Sequence, residues 1–184
     1  MKVRKKALFL DRDGVINTDL GYVSNIENFF FLEEIFALVR KANQQGYLVI
    51  IVTNQSGIGR GFFSEEDFKK LMEWVFGEFR KRECFIHSFY FCPFHPKAKL
   101  KQYKKNSNLR KPKPGMINLA IKENDLDASK SILIGDKLSD ITAGISAGIN
   151  KNLLFAPDAF ATDAPQSSKY HIISSLQEAE CFIA

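Results

Sequence analysis

Short runs of apolar residues alternate along this chain with stretches in which apolar positions recur every three or four residues. The first run, Ala7-Leu8-Phe9-Leu10, breaks off at Asp11-Arg12-Asp13-Gly14, as a buried strand does on reaching a turn. Residues 32–44 carry an apolar stripe of Leu32, Ile35, Phe36, Leu38, Val39 and Ala42, which predicts a helix closed by Gly46. Residues 47–52 are apolar throughout and partly β-branched, the composition of a strand covered on both faces. Thr53-Asn54-Gln55-Ser56-Gly57 follows. Ser64-Glu65-Glu66-Asp67 predicts a helix start with Ser64 as N-cap, leading into an apolar stripe of Phe68, Leu71, Met72, Val75, Phe76 and Phe79. Next come a third strand over about 87–91, a helix opened by Pro114-Gly115-Met116, a fourth strand at 131–134 and a small-residue helix to Ala147. Weaker strands near 153–155 and 171–173, a loop at 156–168 between them and a short terminal helix complete the pattern. Such alternation predicts a Rossmann-like, three-layer α/β fold with a mainly parallel central sheet.

At 184 residues and 45% hydrophobic content the chain fits a single domain with a sizeable core. No apolar run approaches a membrane span, and the apolar run after the basic start is too short for a signal peptide. A cytoplasmic, monomeric protein with no membrane partner is expected. Cys84, Cys92 and Cys181 do not make a disulfide framework, so reduced thiols are expected. The net charge of +5 is concentrated in one place: Lys97, Lys99, Lys101, Lys104, Lys105, Arg110, Lys111 and Lys113 lie in an interval free of Asp and Glu. The rest of the chain is slightly acidic. A basic insertion loop at about 93–112 fits either a solvated surface or an anionic partner, a phosphorylated small molecule or a nucleic acid.

Charge also gathers at the predicted strand ends. Asp11 and Asp13 end the first strand, and two carboxylates so close call for a shared cation, for which Mg²⁺ is the usual choice. Thr53 ends the second strand. Lys111 precedes the turn into the helix opened by Pro114, and Asp136 and Asp140 follow the fourth strand. Taken singly, each has a plain structural explanation: a turn, a helix cap, a solvated lysine. Their occurrence together, in order, at the edge where open α/β sheets hold ligands, points to phosphate chemistry.

These residues resemble the four motifs of the haloacid dehalogenase superfamily, from the first strand to about Ala147. More narrowly, Asp11-Arg-Asp-Gly-Val-Ile-Asn17, Gly21-Tyr22-Val23, Thr53-Asn-Gln-Ser-Gly57, Arg60-Gly61 and Arg110-Lys-Pro-Lys-Pro-Gly-Met116 resemble the D-glycero-D-manno-heptose 1,7-bisphosphate phosphatases, sisters of the histidinol-phosphate phosphatases. The resemblance implies a Mg²⁺-dependent phosphatase without a large cap domain, acting in lipopolysaccharide heptose synthesis on a phosphorylated sugar. It implies Asp11 as nucleophile and Asp13 as proton carrier. Mg²⁺ would be held by the Asp11 and Asp136 carboxylates and the Asp13 carbonyl. Thr53 would donate to phosphate with backbone N–H groups after it, Lys111 would neutralise it, and Asp140 would orient Lys111 or the metal's shell. Substrate contacts are expected at Arg12, Asp19, Leu20, Gly21, Tyr22, Asn54, Gln55, Ser56, Arg110 and Lys137, with Arg110 on the non-reacting phosphate and Arg60 a lesser candidate. The alternatives are a histidinol-phosphate phosphatase, a nucleic-acid 3′-phosphatase and, more remotely, a silent phosphate-binding module. Nucleic acid is not the expected partner, because no accompanying P-loop is present.

One segment departs from the family. Many relatives hold a structural Zn²⁺ through Cys-x-His and Cys-x-Cys pairs before Arg-Lys-Pro. Here Cys92 remains, while Phe94, Ser107 and Leu109 stand at the other three positions, too few ligands for a closed tetrahedral site. An alternative set of Cys84, His87, Cys92 and His95 is split by the predicted third strand. No structural zinc is expected, and Phe94, Leu100, Tyr103 and Leu109 are the candidates for a packed substitute.

Overall fold

The computed structural model describes residues 4–157 and 168–184. Six strands form one sheet: β1 (Lys6–Leu10), β2 (Tyr47–Asn54), β3 (Ser88–Cys92), β4 (Ile132–Gly135), β5 (Lys151–Phe155) and β6 (His171–Ile173). Their order is β3-β2-β1-β4-β5-β6, and every pairing is parallel. The sheet is thus wholly parallel rather than mainly so. The helices are α1 (Glu34–Gln44), α2 (Ser56–Arg60), α3 (Glu65–Lys81), α4 (Gly115–Asn124), α5 (Leu138–Ser146) and α6 (Leu176–Ala179). Most of the loop expected at 156–168 lies outside the described residues. Among the described residues no helix is long and apolar enough to cross a membrane.

Side-chain alternation in the strands builds two cores. Leu8, Leu10, Val49, Ile51, Ile132 and Ile134 face one helical layer, made by Ile35, Leu38 and Val39 of α1, Phe68, Leu71 and Phe79 of α3, and Leu176 of α6. Ala7, Phe9, Ile50, Val52 and Leu133 face the other, with Met116, Ile117 and Ala120 of α4 and Ile141 and Ala143 of α5. Strands buried on both sides read as unbroken apolar runs, which is why they were legible. The α3 start carries a full capping box: the Asp67 N–H donates to Ser64 Oγ at 3.0 Å, and Ser64 N–H donates to Asp67 Oδ2 at 2.9 Å.

Most element ends differ from the sequence reading by a residue or two, and the short helix α2 was not expected; two of the differences bear on the site. β2 runs two residues further than its apolar stretch, because Thr53 and Asn54 pair with Phe91 and Cys92 of β3. α1 starts at Glu34 rather than at residue 32; Leu32 instead donates its N–H to Ile16 O and ties the preceding loop to the sheet end.

The connections run outward from β1 in both directions, with β2 on one side and β4 on the other. That reversal of strand order leaves a crevice beyond the carboxyl ends of β1, β2 and β4. Residues 11–33, between β1 and α1, lie beside it as a loop with one 3-10 turn at Ile26–Asn28.

Candidate active site

Asp11 follows β1 directly and continues its pairing, donating its N–H to Ile134 O at 3.0 Å. Thr53 is the next-to-last residue of β2, and Asp136 follows β4. Register therefore delivers all three to one edge. Gly14 (φ +88°) turns the chain there, and a Cβ at this position would run into the Asp136 carboxylate, so only glycine fits.

Lys111 is the hub. Its buried ammonium donates to Val52 O at 2.8 Å and pairs with Asp11 Oδ1 at 3.0 Å and Asp140 Oδ1 at 2.7 Å. Three acceptors meet its three protons. Burial works against the charge, but Asp11 and Asp140 outweigh it and raise the Lys111 pKa above its ordinary value. Asn54 fixes the Lys111 backbone from both sides: its Nδ2 donates to Lys111 O and its Oδ1 accepts from Lys111 N, each at 3.1 Å. Asp140 is filled by Lys111 on Oδ1 and by the Lys137 N–H on Oδ2 at 3.0 Å.

Burial pushes the Asp11 carboxyl up to about 7, because the pull of Lys111 is offset by Asp140, Asp136 and Asp13. Asp136 is raised as well, by burial first; Lys137 draws it back and Asp140 adds repulsion. One lysine does not neutralise this group. Asp11, Asp136 and Asp140 offer oxygens within 4.8 Å of one another, the one such trio of metal-ligating side chains among the described residues. Asp136 Oδ1 is buried with no hydrogen-bond partner. With both Asp140 oxygens engaged, Asp11 and Asp136 are the carboxylates open to a hard divalent cation, which matches the one or two that Mg²⁺ takes. The two hydrogen bonds accepted by the Asp11 side chain, from the Arg12 N–H and from Lys111, both fall on Oδ1.

A cavity of about 300 Å³ opens over these groups, lined by Asp11, Asp13, Asp19, Gly21, Tyr22, Thr53, Asn54, Gln55, Ser56, Gly57 and Lys137. Lys137 bridges Asp19 at 3.0 Å and Asp136 at 3.2 Å. Burial opposes its charge, but Asp19 and Asp136 raise its pKa. Asp19 in turn is lowered, the Gly21 N–H and Lys137 outweighing burial. Leu20 stands at the rim, 55% exposed.

Arg110 lies outside that cavity, against a shallower one of about 290 Å³ with His95, Lys97, Asn106 and Lys113. Burial lowers its pKa, Cys92 draws it back, and the repulsion of Arg60 adds a lesser push down. Arg60 Nε and Arg110 Nη1 are both buried and unpartnered. Tyr22 lines the first cavity, where Arg60 stacks 5.8 Å from its ring centroid and Phe62 meets it edge-on at 4.9 Å.

The side chains of three expected substrate contacts are bonded within the protein, although Asn54 and Gln55 also line the cavity. Arg12 is wholly buried. Carried past the strand end, the β1 alternation turns it to the α1/α3 side, where its guanidinium lies 5.4 Å from the Phe68 ring and 5.9 Å from Phe29. It grips Asp13 and cannot reach a ligand in the cavity. Asn54 clamps Lys111, and Gln55, 3% exposed, donates to Thr53 and Asp13. Asn17, not singled out by sequence for the site, also donates to Asp13, at 3.0 Å. Its sequence signal is its place at the end of the motif Asp11-Arg-Asp-Gly-Val-Ile-Asn17.

The basic loop is packed. Cys92, Phe94 and Leu109 join the α4-side core, the Phe94 and Tyr103 rings sit 5.9 Å apart, and Lys105 lies 3.8 Å over Phe94. Ser107 is buried and its Oγ accepts from the Leu109 N–H at 3.1 Å. Cys84, His87 and His95 are each bonded locally, to Phe79 O, Asn124 and the Lys97 N–H.

Comparison with known proteins places this geometry. A family model described as polynucleotide kinase 3 phosphatase matches residues 9–164. The chain is 53% identical over 152 residues to the D-glycero-alpha-D-manno-heptose-1,7-bisphosphate 7-phosphatase of Burkholderia mallei, covering 83% of this chain and 80% of that one. It is 40% identical over 171 residues to the D-glycero-beta-D-manno-heptose-1,7-bisphosphate 7-phosphatase of Haemophilus influenzae, covering 93% and 92%. A D,D-heptose 1,7-bisphosphate phosphatase from B. bronchiseptica, solved with magnesium and phosphate, shares the fold with a TM-score of 0.83 at 23% identity, over 95% of this chain and 96% of that one.

Proposed function

The chain belongs to the heptose bisphosphate phosphatase family of the haloacid dehalogenase superfamily, and from that premise we propose that it removes the C7 phosphate of D-glycero-D-manno-heptose 1,7-bisphosphate. The observation that carries the reading is the charge arrangement around Asp11. A carboxylate with one oxygen bound by Lys111 and the other free is placed to attack phosphorus.

In the first step Asp11 Oδ2 forms a bond to phosphorus as the bond from phosphorus to the sugar oxygen breaks. A proton on Asp13 passes to that leaving oxygen. In the second step water adds to phosphorus, the Asp11–phosphorus bond breaks, and the water proton returns to Asp13, releasing phosphate. Thr53 donates its hydroxyl to a phosphate oxygen, and Lys111 offsets charge beside the nucleophile. Mg²⁺ fits the Asp11 and Asp136 carboxylates and would, when bound, offset the phosphate's charge during attack. Arg110, assisted by Arg60, holds the second phosphate, and the loop at 19–22 covers the sugar. The two cavities, one over Asp11 and one beside Arg110, support a substrate with anions at both ends. Of the loop's cations, Lys97, Arg110 and Lys113 line one shallow cavity, which supports the small-molecule reading over a nucleic acid.

The test is phosphate release from both anomers of the heptose bisphosphate, histidinol phosphate and a 3′-phosphorylated oligonucleotide, each with Mg²⁺ and with chelator. Preferred loss of the C7 phosphate, dependent on Mg²⁺, is expected. Preference for histidinol phosphate overturns the substrate, and undiminished activity in Asp11→Asn overturns the covalent route.

A further inference from the structure

Asp13 is held more tightly than a freely moving proton carrier would be. Its Oδ1 accepts from Arg12 Nε at 3.1 Å, Arg12 Nη2 at 2.7 Å and Asn17 Nδ2 at 3.0 Å. Its Oδ2 accepts from Arg12 Nη2 at 2.8 Å and Gln55 Nε2 at 3.0 Å. A carboxylate has room for about four acceptor directions, two on each oxygen. Three donors saturate Oδ1, and the Nη2 contact on Oδ2 is shared with Oδ1. Oδ2 is the oxygen with capacity left, and Asp13 lines the reaction cavity.

Arg12 is fixed independently. Its Nη2 also donates to Val23 O at 2.7 Å, its plane lies between Phe29 and Phe68, and it is fully buried. Among the described residues Asp13 is its one ion-pair partner. A buried guanidinium with a single carboxylate partner resists losing it. Gln55 adds a second link: the same Nε2 that reaches Asp13 donates to Thr53 Oγ1 at 2.9 Å. With that lone pair filled, the Thr53 hydroxyl proton is left for another acceptor.

We propose that Arg12, Asn17 and Gln55 are positioning residues for the chemical step, pinning Oδ1 of Asp13 so that Oδ2 is the oxygen presented to the leaving group, with Gln55 setting Asp13 and the phosphate donor Thr53 at a fixed distance. This rests on the reading of Asp13 as the proton carrier. It assigns the amide of Gln55 to the machinery rather than to the sugar.

The readout is dependence on the leaving group, because a misplaced acid matters when an alkoxide departs and little when nitrophenolate does. Single-turnover release is measured with the sugar bisphosphate and with p-nitrophenyl phosphate for Gln55→Met, Asn17→Ala and Asp13→Asn. Gln55→Met is expected to lower the sugar-phosphate rate at least about tenfold more than the p-nitrophenyl phosphate rate, the scale of a geometric misplacement, with Asn17→Ala in the same direction. Asp13→Asn is expected to show the same selectivity, larger. Selectivity in Asp13→Asn with equal losses on both substrates in Gln55→Met and Asn17→Ala overturns the positioning alone. Equal losses in Asp13→Asn overturn the proton-carrier reading and the positioning with it. Should Gln55→Met not fold, Gln55→Ala carries the same comparison.

Discussion

The floor of the cavity and its rim are built on opposite principles. On the floor Lys111 is answered by Asp11, Asp140 and Val52 O and Asp13 by Arg12, Asn17 and Gln55, while Asp136 Oδ1 and Arg12 Nη1 stay buried without a partner. At the rim Arg60 and Arg110 keep buried nitrogens without partners, and Tyr22 and Phe62 stand 46% and 61% exposed. A floor so connected is set before substrate arrives and has little reorganisation to do during reaction. A rim with unanswered cations is organised for a ligand that brings its own anions. The floor therefore carries rate and the rim carries selection.

The largest expected effect tests the floor. Lys111→Ala leaves Asp11 and Asp140 buried without their cation, and turnover should fall about 10²–10³-fold, with a clear drop in melting temperature. Steady-state kinetics beside a thermal melt checks it; an unshifted melt would mean that the floor is less interdependent than its bonds imply.

The rim comes next. Arg110→Ala should raise KM for the bisphosphate by about 10–100-fold, the scale of a lost charge-assisted hydrogen bond. Arg60→Ala should follow in the same direction. Both should leave the heptose 7-monophosphate nearly untouched, and equal losses on both substrates would erase the division between floor and rim.

A pH series sharpens the floor's side. The Asp11 carboxyl, raised to about 7, takes up a proton as pH falls through that value. A metal ligand must be deprotonated, so apparent Mg²⁺ affinity should weaken by about tenfold per pH unit below about 7 and level off above it. Isothermal titration between pH 5.5 and 8.5 reads the slope; a flat profile would show that this proton is not displaced by the metal.

The smallest effect belongs to the loop behind the rim. Phe94→Ala removes a half-buried ring packed by Tyr103 and Lys105, at a cost of about 2 kcal/mol. Denaturant melts should record that loss with kcat for the monophosphate retained, and KM for the bisphosphate should rise if the loop holds Arg110 in place.

Legibility from sequence followed the same division. Asp11, Thr53, Asp136 and Lys111 could be read because each stands beside an apolar run or a proline turn, and a parallel sheet brings such ends together. Arg12, Asn54 and Gln55 were expected at the ligand; Arg12 turns into the core, while Asn54 and Gln55 line the cavity and also brace Lys111, Thr53 and Asp13. Nothing in a linear pattern tells whether a polar side chain beside a motif turns to the cavity or back into its support. Arg12 sits between two catalytic-type aspartates, yet strand alternation and the Phe68 and Phe29 rings take it into the core.

By itself, then, the sequence determined the strand–helix alternation, the two-sided burial of the sheet and the edge at which charge would collect. These depend on local periodicity, which each segment carries within itself. Only the tertiary structure decided which oxygen of Asp13 stays free, which carboxylate answers Lys111 and which cations remain unanswered. Those outcomes are contacts between residues as far apart in the chain as Lys111 and Asp11, and hydrogen-bond capacity is settled only when every partner is in place.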